Sequence, residues 1–250
     1  MTGILLSGYS GTMGKNVISC CEKFDDIFIM GGVDKFRTAV PFPVFEDFKS
    51  VNVDFDVIVD FSNSAALEEM LSFALERKKA VVIGTTGFSD EQLEKINEAS
   101  KEIPVFHSSN MSLGVSLLTE IASVAAKVLG NSYDIEIVEM HHNQKVDAPS
   151  GTAIMIANAI SDAIDYEPEY VYDRQSKREK RKKTEIGISS VRGGTIVGEH
   201  EVIFAGNDEV IKLSHSAYSK ALFANGALNA VRFIKDKPPR VYNMKDLINS

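Results

Sequence analysis

The chain of 250 residues has only two cysteines, Cys20 and Cys21, and they are adjacent. Neighbouring cysteines inside a helix cannot reach disulfide geometry, and no third cysteine is present to build a metal site with them. Both are expected as small core residues. Long hydrophobic runs are missing too: none approaches the roughly 18 residues that a membrane-spanning helix needs. The apolar start Gly3-Ile4-Leu5-Leu6-Ser7 is interrupted by Gly8 too soon for a signal peptide, so a cytoplasmic protein without a membrane partner is expected. Positive charge is scarce. The 27 Lys and Arg are outnumbered by 35 Asp and Glu, for a net charge of -8, which gives no general attraction to nucleic acid or anionic lipid. What is present is apolar mass: 44% of the residues are hydrophobic, enough for a substantial core in one large domain or two small ones.

The reactive side chains concentrate in one stretch, Glu139-Met140-His141-His142-Asn143-Gln144-Lys145-Val146-Asp147-Ala148-Pro149-Ser150-Gly151. Upstream, Tyr133, Ile135 and Ile137 alternate with Asp134 and Glu136, the period of a strand with one buried face. The two histidines therefore lie at a strand's end. Downstream, Ser150 precedes the apolar run that begins at Ala153, which predicts a helix capped by a hydroxyl side chain. Free N–H groups at that helix start, together with the ammonium of Lys145, would hold an anion such as a carboxylate. Paired histidines standing alone could be solvated loop residues. Zinc fits poorly, because the spacing matches no usual ligand pattern, and no metal is expected.

The rest of the chain supplies a second chemistry. Gly3 to Ser7 reads as a strand running into Gly8-Tyr9-Ser10-Gly11-Thr12-Met13-Gly14, with a helix predicted over Lys15 to Phe24. The spacing is G-x-x-G-x-x-G rather than the commoner G-x-G-x-x-G of dinucleotide folds, and by itself could be an ordinary turn. The next strand, Ile27 to Val33, ends at Asp34, 20 residues after Gly14, where such folds place an acid that hydrogen-bonds the adenosine ribose. That carboxylate opposes the extra phosphate of NADP while Lys35 attracts it. The pair predicts ready use of NADH without shutting out NADPH. Further strands at Val57 to Phe61, Ala80 to Ile83 and Pro104 to His107 alternate with helices at Ala65 to Arg77 and from the capping box of Ser89 and Gln92 to about Glu102. They deliver Gly84-Thr85-Thr86-Gly87 and Ser108-Ser109-Asn110-Met111 to the strand ends where open α/β sheets bind ligands. This rhythm predicts an α/β doubly wound, Rossmann-like parallel sheet.

After a helix over Leu113 to Leu129 that stops at Gly130, the pattern changes. Glu185 to Val191, Val197 to Ala205 and Val210 to His215 read as strands without helices between them, so a mixed or antiparallel sheet is expected. A last helix spans Ser219 to Ile234 and ends before Pro238-Pro239. Arg174 to Lys183 carries seven basic residues against one acid, Glu179. It reads as a solvated loop, with a lid that attracts an acidic substrate as the sharper alternative.

From Glu139 to Ala153 the chain resembles the signature of the dihydrodipicolinate reductase family of bacterial lysine biosynthesis. Gly8 to Gly14, Gly84 to Gly87, Asn110 to Val115, Arg192-Gly193-Gly194, Ile196 to His200 and Phe223 to Ala227 resemble family segments in family order. The resemblance implies reduction of 4-hydroxy-tetrahydrodipicolinate by NADH or NADPH, with His141 as acid/base group and Lys145 as proton donor. It implies that His142, Gly151 and Thr152 hold the carboxylates of a small dicarboxylate substrate. Cofactor contacts map onto Gly8, Tyr9, Ser10, Gly11, Thr12, Met13, Asp34, Lys35, Gly84, Thr85, Thr86, Ser108, Ser109, Asn110 and Met111.

The family build would place a dinucleotide-binding domain over 1–112 and 221–250, and a substrate-binding and oligomerisation α+β domain over 113–220, in a homotetramer. Several residues depart from the pattern. Lys220 stands where many members have an arginine that would contact substrate, Thr195 replaces a frequent aspartate, and Arg240 and Asn243 alter a C-terminal motif. Two other readings compete: a related two-domain dehydrogenase of another small acid, of aspartate or homoserine type, and a nucleotide sensor without catalysis.

Overall fold

A computed structural model describes residues 1–250. The strands and helices, in chain order, begin with β1 (Thr2–Ser7), α1 (Thr12–Cys21), β2 (Ile27–Val33), β3 (Val44–Phe45), β4 (Val57–Asp60), α2 (Leu67–Arg77), β5 (Ala80–Ile83), α3 (Asp90–Ala99) and β6 (Val105–His107). There follow α4 (Leu113–Leu129), β7 (Asp134–His141), α5 (Gly151–Ser161), β8 (Glu169–Val171), β9 (Glu185–Arg192), β10 (Gly198–Ala205) and β11 (Val210–Ala217). The chain closes with α6 (Ala221–Ile234), β12 (Val241–Tyr242) and α7 (Met244–Ile248). It divides into two compact units, Met1–Leu113 with Lys220–Ser250, and Gly114–Ser219. Leu113 and Lys220 thus fall on the first unit.

The first unit is a seven-stranded parallel sheet in the order β12-β6-β5-β4-β1-β2-β3. Every residue of β4 and β5 is buried, as continuous apolar runs must be when helices cover both sheet faces. One face packs under α1 and α6, the other under α2 and α3. Helix α1 begins at Thr12, three residues earlier than the expected Lys15, because Gly11 caps it and Gly14 is the packing glycine of its first turn. A Cβ on Gly14 would stand 2.3 Å from the Gly8 carbonyl oxygen. The same helix stops at Cys21 rather than Phe24, where Lys23 and Phe24 turn back to the carbonyls of Cys20 and Cys21. Both cysteines are buried. Helix α3 carries the expected Ser89–Gln92 capping box but ends at Ala99, and the stretch before α2 starts as a 3-10 turn at Ser64–Ala66.

The second unit is a five-stranded mixed sheet in the order β11-β10-β7-β9-β8. Strand β10 runs antiparallel to both of its neighbours, whereas β9 is parallel to β7 and β8. Alternation in β7 buries Ile135, Ile137, Glu139 and His141, and α4 and α5 cover that face with Leu118, Ala122, Ile156 and Ile160. The basic segment is solvent-exposed, as expected, apart from the half-buried Arg181, and most of its charges are paired. Five of its seven cations, Arg174, Lys177, Arg181, Lys182 and Lys183, pair with Asp134, Glu136, Glu169 or Glu185 on the strands. These five charges already have partners on the strands of the second unit.

Candidate active site

Strand β7 carries one carboxylate on its apolar face, and that carboxylate organises the second unit. Glu139 has no solvent exposure. Arg192, which lies opposite His141 on β9, grips it with both terminal nitrogens, Nη1 to Oε2 and Nη2 to Oε1, each at 2.8 Å. The Ser150 backbone N–H donates to Oε1 at 3.1 Å, and His141 Nδ1 lies 2.6 Å from Oε2. Burial by itself would raise the Glu139 carboxyl, but the hydrogen bonds from Arg192, Ser190 and His141 outweigh it and hold it at about 2. A charge-assisted bidentate pair of this kind is what a buried carboxylate needs to remain ionised.

His141 is the last residue of β7 and is 9% exposed. Its Nε2 faces Gly198, where an added Cβ would sit 3.0 Å away. The His200 ring meets it edge-on, with centroids 5.3 Å apart. His200 Nε2 lies 3.0 Å from Ser150 Oγ, while its Nδ1 is buried without a partner. Burial, reinforced by the neighbouring His141, pushes His200 down to about 4, so it is neutral at pH 7.

Ser150 is the N-cap of α5 and accepts from the Ala153 N–H at 3.1 Å. Gly151 opens the helix into free space, since a Cβ there would meet nothing within 4 Å. Thr152 is the next residue of this first turn. The loop between strand and helix is pinned on both sides: Gly193 N–H donates to the His141 carbonyl, Asn143 N–H to Gly194, and Lys145 N–H to His142. Lys145 Nζ lies 2.7 Å from Asp147 Oδ1, and this contact lowers the Asp147 carboxyl. The second unit therefore gathers His141, His142, Lys145, Gly151 and Thr152 onto one strand end, one loop and one helix start. Lys220 is not among them; it lies exposed at the start of α6 in the first unit.

Glu139, Arg192 and His200 were not singled out for roles by sequence reasoning, and Ser150 was expected only as the cap of the helix. Glu139 was detectable, because continuing the alternation of Ile135 and Ile137 puts a carboxylate on the buried face. The partners Arg192 and His200 carry no local signal, since β9 and β10 bring them in from 53 residues away for Arg192 and 50 residues from Ser150 for His200.

In the first unit, the expected cofactor residues follow the C-terminal ends of β1, β2, β5 and β6, on one edge of the parallel sheet. Gly8 has φ +76°, and a Cβ there would stand 2.5 Å from the Phe61 carbonyl oxygen, so only glycine permits this turn. Gly11 caps α1 without a side-chain acceptor, which leaves the helix start to an anion. Gly8, Ser10, Gly11, Asp34 and Lys35 line a cavity of about 270 Å³. Asp34 Oδ2 accepts from Ser10 Oγ at 2.7 Å and from the Ser10 N–H at 3.2 Å, and Oδ1 accepts from the Phe36 N–H at 3.0 Å. A carboxylate has about four acceptor sites, so Asp34 keeps capacity for a hydroxyl.

Thr85 is buried and its hydroxyl has no partner, an orphan that a ligand at this edge would satisfy. Thr12 and Met13 form the first turn of α1, Gly84 packs on the Phe61 ring, and Ser108 Oγ bonds the Asn110 backbone. Thr86 and Ser109 sit on the same two loops. Tyr9 and Met111 are core residues, so each has only its backbone to offer a ligand. These features fit a dinucleotide.

The comparisons with known proteins come down on one family. The model described as dihydrodipicolinate reductase, N-terminus, matches residues 2–111, and the one described as dihydrodipicolinate reductase, C-terminus, matches residues 114–248. The chain belongs to the dihydrodipicolinate reductase family. Among its relatives is the 4-hydroxy-tetrahydrodipicolinate reductase of Caldanaerobacter subterraneus subsp. tengcongensis, 50% identical over 99% of this chain and 98% of that one. The protein of the same name from Clostridium tetani is 47% identical over 100% of this chain and 98% of its own. A solved structure of dipicolinate-bound dihydrodipicolinate reductase from Paenisporosarcina sp. TG-14 superimposes with a TM-score of 0.83 at 25% identity, covering 97% of each chain. The family match spans both units, so the reductase domains account for nearly the whole chain.

Proposed function

We propose that this member of the family is a 4-hydroxy-tetrahydrodipicolinate reductase that uses NADH or NADPH. The observation that carries the reading is the His141–Glu139–Arg192 cluster beside the exposed start of α5, in a chain whose relatives carry that name over their full length. A dehydrogenase of another small acid would have to build a different site from the same stretch, and a silent sensor would have no use for a clamped histidine.

A reduced nicotinamide, when bound, would supply hydride to the ring of the unsaturated cyclic dicarboxylate. The chain's own residues do the rest. The Gly151 and Thr152 end of α5, aided by the helix dipole, holds one carboxylate. His142 and Lys145 hold the other as hydrogen-bond donor and point charge. Asp147 keeps the Lys145 ammonium in place until the substrate arrives. His141 and Lys145 supply or relay the proton that balances the hydride, a contribution of roughly 10²–10⁴-fold in rate.

The first unit holds the dinucleotide through Gly8 to Met13, Asp34 and Lys35, Gly84 to Thr86, and Ser108 to Met111. Asp34, Glu46, Asp47 and Glu69 line the adenosine side of the cavity against the one cation Lys35, which favours NADH while still admitting NADPH. The second unit binds substrate and joins copies of the chain into a homotetramer. No helix is long and apolar enough to cross a membrane, and the enzyme works in the cytoplasm.

The test is steady-state kinetics with substrate generated in place from pyruvate and aspartate semialdehyde by the preceding synthase. His141→Ala and Lys145→Ala should each lower kcat by roughly 10²-fold or more and leave the NADH dissociation constant unchanged. Turnover near the wild-type rate in both variants would remove the assigned site.

A further inference from the structure

We propose that Glu139, locked by Arg192, is a positioning residue that fixes His141 as its Nδ1–H tautomer and presents Nε2 as the proton-transferring nitrogen. The inference rests on the proposed reductase reading for its substrate, but its geometry stands on the second unit alone. A carboxylate can only accept, so the 2.6 Å contact to Oε2 requires the proton on His141 Nδ1. Arg192 and the Ser150 N–H occupy the other acceptor sites of Glu139, so the carboxylate cannot rotate away. The imidazole is thereby held at one angle, with its second nitrogen opposite.

That second nitrogen has been left uncovered by the residue facing it. Gly198 has no side chain, and a Cβ there would crowd His141 Nε2 at 3.0 Å. Glycine in a paired strand weakens it, which makes sense where another group must approach closely. The remaining groups around the ring come from every neighbouring element: Arg192 from β9, His200 from β10, Ser150 from the start of α5, and Lys145 with Asp147 from the loop. None of these bonds the ring, whose hydrogen-bond partner is Glu139. An imidazole in a fixed tautomer, oriented by a buried carboxylate, is the arrangement by which histidine takes and returns a proton without first turning over.

The decisive variant is Glu139→Gln, which keeps the shape and removes the charge. Two readouts separate positioning from mere stability. In nitrogen-15 spectra of the imidazole rings, the wild type should show His141 as the Nδ1–H form when neutral, and Glu139→Gln should show a mixture with Nε2–H. In the synthase-coupled assay, Glu139→Gln should lower kcat by roughly 10²–10⁴-fold, with KM for the dicarboxylate within a few-fold and NADH binding unchanged. Wild-type kcat in a folded Glu139→Gln protein, or an unchanged His141 tautomer, would overturn the proposal.

Should Glu139→Gln fail to fold with Arg192 left unpaired, the double variant Glu139→Gln/Arg192→Met removes both charges and must give the same two results. If the wild type itself oxidises no NADH with this substrate, the reductase reading falls, yet the spectra still decide the role of Glu139.

Discussion

Glu139 and His200 lie within one side-chain layer, and acid threatens both for the same reason. The folded state binds the Glu139 proton more weakly than the unfolded chain does, with the carboxyl at about 2 against an ordinary 4.5. Its contribution is therefore complete above pH 4.5 and disappears between 4.5 and 2, and its size is on the order of 3 kcal/mol. His200, at about 4 against 6.5, also prefers to stay unprotonated in the fold, so its contribution is complete above pH 6.5 and is lost as the pH falls towards 4. Stability should begin to fall near pH 6.5 and fall further below 4.5. The two groups are neighbours, so their contributions will not simply add. His200→Gln, which can still bond Ser150, should flatten the loss between pH 6.5 and 4 and leave the lower limb. Urea midpoints measured across this range check it, and a wild-type midpoint that is constant from pH 7 to 4 would contradict it.

At the scale of strands and helices, the sequence is most legible where the elements are long and locally patterned. The buried runs of β4 and β5, the full length of α4, and the Ser150 cap of α5 all follow from apolar period and turn chemistry. β3, β8 and β12 have only two or three residues each, too few to show a period, and they exist because a neighbouring strand offers its edge. Part of the pairing of the basic segment was illegible for a related reason: Asp134 and Glu136, two of the acids it meets, lie about forty residues earlier in the chain.

One face of the second sheet remains without a helix. Val138 and Met140 on β7, Val191 on β9 and Ile203 on β10 point to it, half-buried or exposed, amid Glu199, Glu201 and Lys212. A mixed apolar and charged sheet face suits an isologous contact with a second copy. If this face makes the proposed contact between copies, Ile203→Glu should shift the sedimentation coefficient towards smaller species, and a wild-type protein that sediments as a single chain would contradict the proposal.

Across the whole molecule, the candidate residues fall in two units. The first holds a glycine turn, an acid at the end of the second strand and a buried orphan hydroxyl at Thr85. The second holds a clamped imidazole and an open helix start. The glycine turn and the histidine stretch were legible as candidates because each is contiguous in sequence. Glu139 with its partners was not read, because a buried ion pair is recognised only when strands from different parts of the chain are laid side by side.

The central claim is hydride transfer from the nicotinamide to the cyclic dicarboxylate. Mass spectrometry of the product made in the synthase-coupled reaction with NADH deuterated at the transferring position of the nicotinamide tests it most directly. The account predicts tetrahydrodipicolinate one mass unit heavier than the product made with ordinary NADH. Consumption of deuterated NADH without deuterium in tetrahydrodipicolinate, or no consumption at all, would contradict it.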